Sequence, residues 1–156
     1  MEPFDALIDA HGAHVWRVCR ALARPEDAAD AWQETFLAAL RTYGEARPAN
    51  PRAWLLGIAH HKCMDTHRRR FREAIPIAMD DDARRAWAAP DRVDDGDLWR
   101  VVAELPAKQR RVVAYRYLGG LPYAEIAAIL GGSVAAARRA GADGIANLRT
   151  ILKEHS

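Results

Sequence analysis

Thirteen residues, HHKCMDTHRRRFR at positions 60–72, gather Lys62, Arg68, Arg69, Arg70 and Arg72 with three histidines. Cations at that density follow a phosphate backbone, and rings upstream at Tyr43 and Trp54 offer stacking surfaces for unpaired bases. This is chemistry for single-stranded or melted nucleic acid. A solvated helix end, whose cations complement the helix dipole, explains this stretch equally well on its own. A second group lies between Tyr123 and Leu148. There the Ser133 hydroxyl and the free N–H groups of a helix start suit a phosphate, while Arg138 and Arg139 reach phosphate or base edges.

Two other chemistries find less support. His60, Cys63 and His67 fall at i, i+3 and i+7 and are acceptable zinc ligand types. No CxxC or HExxH accompanies them and no fourth ligand is evident, so they are expected to be ordinary surface residues, with no metal and no other cofactor. No nucleophile elbow, phosphate-cradling glycine loop or pair of catalytic carboxylates is present, so an enzyme is not expected.

Helices must position these residues. Phe4, Leu7, Ile8, His11, Val15, Val18 and Leu22 recur at helical spacing over roughly 3–23. Pro25 suits the first turn of a second helix, which Tyr43-Gly44 ends, with Trp32, Phe36, Ala39 and Leu40 toward a core. Asn50-Pro51 starts a third helix, a capping residue followed by proline. It buries Leu55, Ile58 and Ala59 and runs to about Arg72. Trp54 belongs as readily to that core as to a nucleic-acid surface. Beyond residue 97 the helices are shorter. One is capped by Asp94 or Asp97, one opens at Pro106 and stops at Gly119-Gly120, and one opens at Pro122 and stops at Gly131. The last is capped by Ser133. Gly131 takes the position where a tight turn demands positive φ, so Tyr123–Leu148 has the form of a helix-turn-helix. An alanine-rich hairpin that binds nothing imitates that form.

The chain has 156 residues and a net charge of +2. The charge is unevenly placed: 11 Lys/Arg against 10 Asp/Glu in residues 1–75, 3 against 7 in residues 76–97, and 9 against 4 in residues 98–156. An acidic linker (76–97), with a short helical turn around Arg84–Trp87, therefore separates two helical modules (1–75 and 98–156). Two cysteines are too few for a disulfide framework and fit a reducing cytoplasm. No apolar run is long enough to cross a membrane and the N-terminus does not read as a signal peptide, so no membrane insertion is expected.

Three stretches, AADAWQETFLAALR, NPRAWLLGIAHHKCMDTHRRR and LPAKQRRVVAYRYLGGLPYAEIAAILGGS, occur in this order around the linker. Together they resemble the extracytoplasmic-function (ECF) group of sigma-70-type RNA polymerase sigma factors. The resemblance implies an all-α protein of two small domains: a three-helix sigma region 2 and a four-helix sigma region 4 with a helix-turn-helix. It implies that the chain binds core RNA polymerase and directs it to promoters to start transcription. Asp30, Gln33, Glu34 and Leu37 would grip a coiled coil of the largest polymerase subunit. The loop Tyr43–Asn50 and third helix would recognise and open the −10 element, with Asn50, Arg52, Trp54, His61, Lys62, Arg68, Arg69 and Arg70 in contact with DNA. Ser133, Ala135, Arg138 and Arg139 would read the −35 element, with Arg116 and Tyr123 on phosphates beside it. Many family members are held inactive by an anti-sigma partner, but no feature here identifies one.

The sequence departs from the family's pattern at Ala29, where a glutamate is common, and in the last helix. That helix carries Gly141 near a position commonly leucine, Ala137 near one commonly β-branched, and Asp143, which would repel phosphate. Gly141 and Gly144 each cost about 1 kcal/mol of helix stability relative to alanine. The expectation is a loosely packed helix that reads −35 bases weakly. A helix-turn-helix regulator that no longer programs polymerase is the alternative, and a protein-interaction module is a third reading.

Overall fold

The computed structural model describes residues 3–71 and 96–154, with side chains over 3–65 and 98–154. The described residues are helical, with no strand among them. The first module is α1 (Phe4–Leu22), α2 (Ala28–Ala46) and α3 (Pro51–Phe71). The second is α4 (Gly96–Ala103), α5 (Ala107–Val113), which continues as a π turn (Ala114–Leu118), then α6 (Tyr123–Leu130) and α7 (Val134–Glu154). Residues 76–95 of the acidic linker, with its expected helical turn and Asp94, lie outside the described residues, while Gly96 and Asp97 belong to α4, so Asp97 is within that helix and not its cap.

Local chemistry explains where most helices start. The Asn50 carbonyl accepts the Trp54 N–H, the first bond of the helix, and its side-chain oxygen accepts the Ala53 N–H at 3.1 Å, occupying a donor that a helix start leaves open. Ser133 Oγ does the same for Ala136 N–H at 3.0 Å. Pro106 and Pro122 precede α5 and α6. Gly131 stands at φ 79°, in the region closed to most side chains, and lets the chain turn from α6 into α7.

Several expected boundaries move. Pro25 lies in a turn ahead of α2 and not in its first helical turn. Tyr43-Gly44 does not end α2, which runs on to Ala46 and stops where Arg47 takes a left-handed conformation at φ 40°. One glycine costs a helix about 1 kcal/mol, too little to stop a helix already anchored through Tyr43 from running one further half-turn through exposed Glu45 and Ala46. The loop before α3 therefore shrinks to Arg47–Asn50. Leu40, expected in the core, is 47 % exposed, whereas Leu37 is buried.

The core of the first module holds Leu7, Val15, Val18, Trp32, Phe36, Leu55 and Leu56. Trp32 brings its polar edge inside, and Nε1–H donates to the Gly12 carbonyl at 2.9 Å, satisfying the one polar atom it buries. The same cluster continues into the second module through Val102, Val112, Tyr115, Leu121 and Ile126. The two modules thus share an interior. At their seam α1 and α3 face α4, the π turn and α6. The Tyr115 hydroxyl and His60 Nδ1 share a hydrogen bond of 2.8 Å, Arg111 reaches Met64 Sδ at 3.4 Å, and Arg20 lies over the Trp99 ring at 5.8 Å.

Candidate nucleic-acid and polymerase interface

On α2, Asp30 is exposed and Gln33 partly so, while Glu34 and Leu37 are 7 % and 9 % exposed. The four do not present one equally open face. The open part is a stripe of Asp30, Gln33 and Leu40, which helical spacing brings to one side with the edge of Leu37 between them. Glu34 lies on the inner border of that stripe. Leu40, expected in the core, instead lies on this open side. Its signal was its spacing of three from Leu37 and seven from Gln33, in phase with the expected contact residues.

On α3, Trp54 and His61 are seven residues apart and so lie on one side of the helix, His61 exposed and Trp54 partly buried. The Trp54 ring packs 6.1 Å from that of Tyr43, which meets Phe4 at 5.6 Å. Trp54 therefore serves the core edge with one face. Asn50 is exposed beside its capped amide, and Lys62 is half-buried. The helix backbone runs through Arg68, Arg69 and Arg70, whose side chains lie outside the described residues. Arg52 is not on this surface. It projects about half a turn away from Trp54, donates from Nε to His11 Nδ1 at 3.4 Å, and lies against Gly120 of the second module.

Of the residues considered for zinc, Cys63 and His60 are not ordinary surface residues. Cys63 is fully buried, as is Cys19 on α1, and the two thiols are hydrogen-bonded. That bond and their burial hold the Cys19 thiol well above its usual range, so it stays protonated. His60 lies in the seam, its imidazole held below its ordinary pKa first by burial and then by His61 and Arg111. His67 falls outside the described side chains.

In the second module, Ser133, Ala135, Arg138 and Arg139 are all exposed along the first turns of α7. Its opposite side, Ala137, Ala140, Gly141 and Gly144, is buried. The expected loose packing is not found, because α7 is continuous and its glycines are points of close approach. A Cβ on Gly141 would lie 2.6 Å from the Tyr123 hydroxyl, and one on Gly144 would lie 2.6 Å from Val113 Cγ2. Asp143 is exposed at the border of the arginine face. Arg116 does not hang free. It donates from Nη1 to the Leu121 carbonyl at 3.2 Å and stacks 4.9 Å from the centre of the Tyr123 ring.

Comparison with known proteins agrees with this layout. Residues 7–73 match the family described as Sigma-70 region 2 and residues 95–147 that described as Sigma-70, region 4. The chain is 31% identical to the ECF RNA polymerase sigma factor SigE of Mycolicibacterium smegmatis, over all of this chain and 64% of SigE. It is 34% identical to the ECF RNA polymerase sigma factor SigC of Mycobacterium tuberculosis, over 81% of this chain and 71% of SigC. Its fold is similar to that of the sigma factor RpoE of Bartonella quintana, crystallised with the anti-sigma factor NepR: TM-score 0.76 at 21% identity, covering 96% of each chain. A region 2 bundle, a region 4 helix-turn-helix and relatives of this similarity place the chain in the extracytoplasmic-function group of RNA polymerase sigma factors.

Proposed function

We propose that the chain binds core RNA polymerase through the exposed stripe of α2, opens the −10 element with α3, and reads the −35 element with the outer face of α7. The observation that carries this reading is the division of α7 into a small-residue face seated in the module and an outer face of Ser133, Ala135, Arg138 and Arg139. A helix so divided presents its N-terminal turns to a major groove. On α3, exposed His61 and the neighbouring Trp54 and Asn50 support the −10 assignment, together with the arginines at 68–70. Arg52 lies outside that surface, on the opposite side of α3 and bonded to His11 of the same module. The polymerase supplies the chemistry, so the chain acts by binding and positioning, in the cytoplasm. The partition at 76–97 between a polymerase-binding and a −35 module belongs to the same proposal. So does an anti-sigma partner, by similarity to the Bartonella factor.

The test is reconstitution. The full chain, mixed with core polymerase, should direct run-off transcription from DNA selected by that holoenzyme. Arg138→Ala and Arg139→Ala should each lower it about tenfold, as expected for losing one good base-edge contact. Because α7 is firmly seated, the loss should concentrate at particular −35 base pairs. Binding to duplex DNA without binding to core polymerase would overturn the reading in favour of a regulator that only resembles a sigma factor.

A further inference from the structure

We propose that Tyr123 and Gly141 form a seat that fixes the register of α7, making Tyr123 a positioning residue for −35 reading and not a DNA contact. The proposal rests on the assignment of α7 to the −35 element. A side-chain carbon on Gly141 would lie 2.6 Å from the Tyr123 Oη, 3.0 Å from Cε1 and 3.2 Å from Cζ. The tyrosine ring therefore occupies the space where any other residue at 141 would place its Cβ. Arg116 lies over the ring at 4.9 Å from its centre and is tied to the Leu121 carbonyl in the turn ahead of α6. The hydroxyl is hydrogen-bonded to Tyr117, and burial together with that bond keeps the phenol above its ordinary pKa. The bond to Tyr117 and the packing against Gly141 give this side chain partners within its own module.

One turn further along, Gly144 admits Val113 of α5 in the same way, and Asn147 donates to Gln109 at 2.6 Å. The recognition helix is thus held by two notches, one on α6 and one on α5, with Ala137 and Ala140 buried on the same side. Arg138 and Arg139 project from the far side of the seated helix. Contacts to base edges tolerate misplacement of only about 0.5 Å, whereas a long arginine still finds a phosphate after a larger shift. Disturbing the seat should therefore abolish base discrimination before it abolishes DNA binding.

The experiment uses holoenzyme reconstituted from the full chain and a panel of promoters with single −35 base-pair changes, built on DNA selected by that holoenzyme. Gly141→Leu should lower transcription of the best promoter about tenfold, the scale of an overpacked contact. It should flatten the panel while leaving core binding intact. Tyr123→Phe should keep the panel's shape. The exchange Tyr123→Ala with Gly141→Leu, which returns the volume from the other helix, should restore much of the discrimination. An unchanged panel in Gly141→Leu overturns the seat, as does a Tyr123→Phe defect equal to that of Tyr123→Ala. Should Gly141→Leu alone fail to fold, the exchange decides: a recovered panel supports the seat, an unrecovered one overturns it. Loss of discrimination in Arg138→Ala but not in Gly141→Leu defeats the seat alone. A panel unmoved by both arginine substitutions defeats the −35 assignment beneath it.

Discussion

Gly119 limits how closely the two modules approach. A methyl group there would lie 2.8 Å from Leu56 Cδ1, 3.2 Å from Val18 Cγ2 and 2.9 Å from the Tyr115 carbonyl. Two of those atoms belong to the first module and the third is backbone, so Gly119→Ala has little room to relax inside the closed seam. We predict a cost of about 1–3 kcal/mol to the closed arrangement, seen as a larger radius of gyration in small-angle scattering at neutral pH. An unchanged radius would show that the seam yields elsewhere. At this scale the sequence was readable where chemistry is local. Asn50 and Ser133 are caps because a short polar side chain reaches the amide three residues on, and Gly131 turns because its φ is positive. It was unreadable where a distant element decides. Helical phase puts Cys63 and His60 on one side of α3 but does not say that Cys19 and Tyr115 cover them. Gly141 looked like a helix breaker because its partner, Tyr123, lies in another helix.

Among the elements, α2 shows how an amphipathic pattern can be right in kind and wrong in phase. Its apolar residues predicted a helix, and Trp32, Phe36 and Ala39 are buried as expected. Leu40 sits a further 100° round from Ala39, past the edge of the core, and so stays outside. A leucine's type does not reveal whether its own fold or a partner covers it. If the polymerase covers the α2 stripe, Leu40→Ala should weaken core binding about five- to tenfold, the burial value of one leucine side chain already partly covered. The thermal stability of the free chain should barely move, since exposed substitutions generally change it by less than about 0.5 kcal/mol. Wild-type affinity for core polymerase in that variant would remove Leu40 from the interface. The π turn at Ala114–Leu118 was not legible at all. It admits one extra residue per turn, closing with the Gly119 N–H on the Ala114 carbonyl at 2.8 Å, and nothing in VVAYRYL departs from an ordinary helical pattern. Its effect is to bring Tyr115 inward to His60 while Arg116 and Tyr117 stay exposed.

For the whole molecule, if the first module takes the −10 element and the second the −35 element as proposed, the closed arrangement and promoter binding are geometrically exclusive. A compact chain of this length has a radius of gyration of about 15 Å, whereas the −10 and −35 elements stand about 25 base pairs apart, roughly 80 Å at 3.4 Å per pair. On that assignment the modules part before one chain holds both elements, and the acidic linker, whose composition alone permits either placement, spans the gap. What holds them closed includes titratable groups. His60 on α3 meets Tyr115 and Arg111 from the second module and His61 from its own helix. His14 on α1 lies beside Gly120 and shares its surroundings with Arg52, Arg17 and His11. Both imidazoles are held below the ordinary value of 6.5, in each case first by burial. Parting the modules returns His60 to water and removes Arg111 and Tyr115 from it, so its pKa rises toward the ordinary value. The open form then binds the proton more tightly. Closure is accordingly favoured above pH 6.5 and weakens as pH falls through 6.5 toward the depressed value. Scattering from the full chain should show the radius of gyration growing between pH 8 and pH 5.5. His60→Gln keeps a polar group in the seam but takes up no proton, and should blunt that growth. An equal expansion in wild type and His60→Gln would assign the acid response to groups outside the seam.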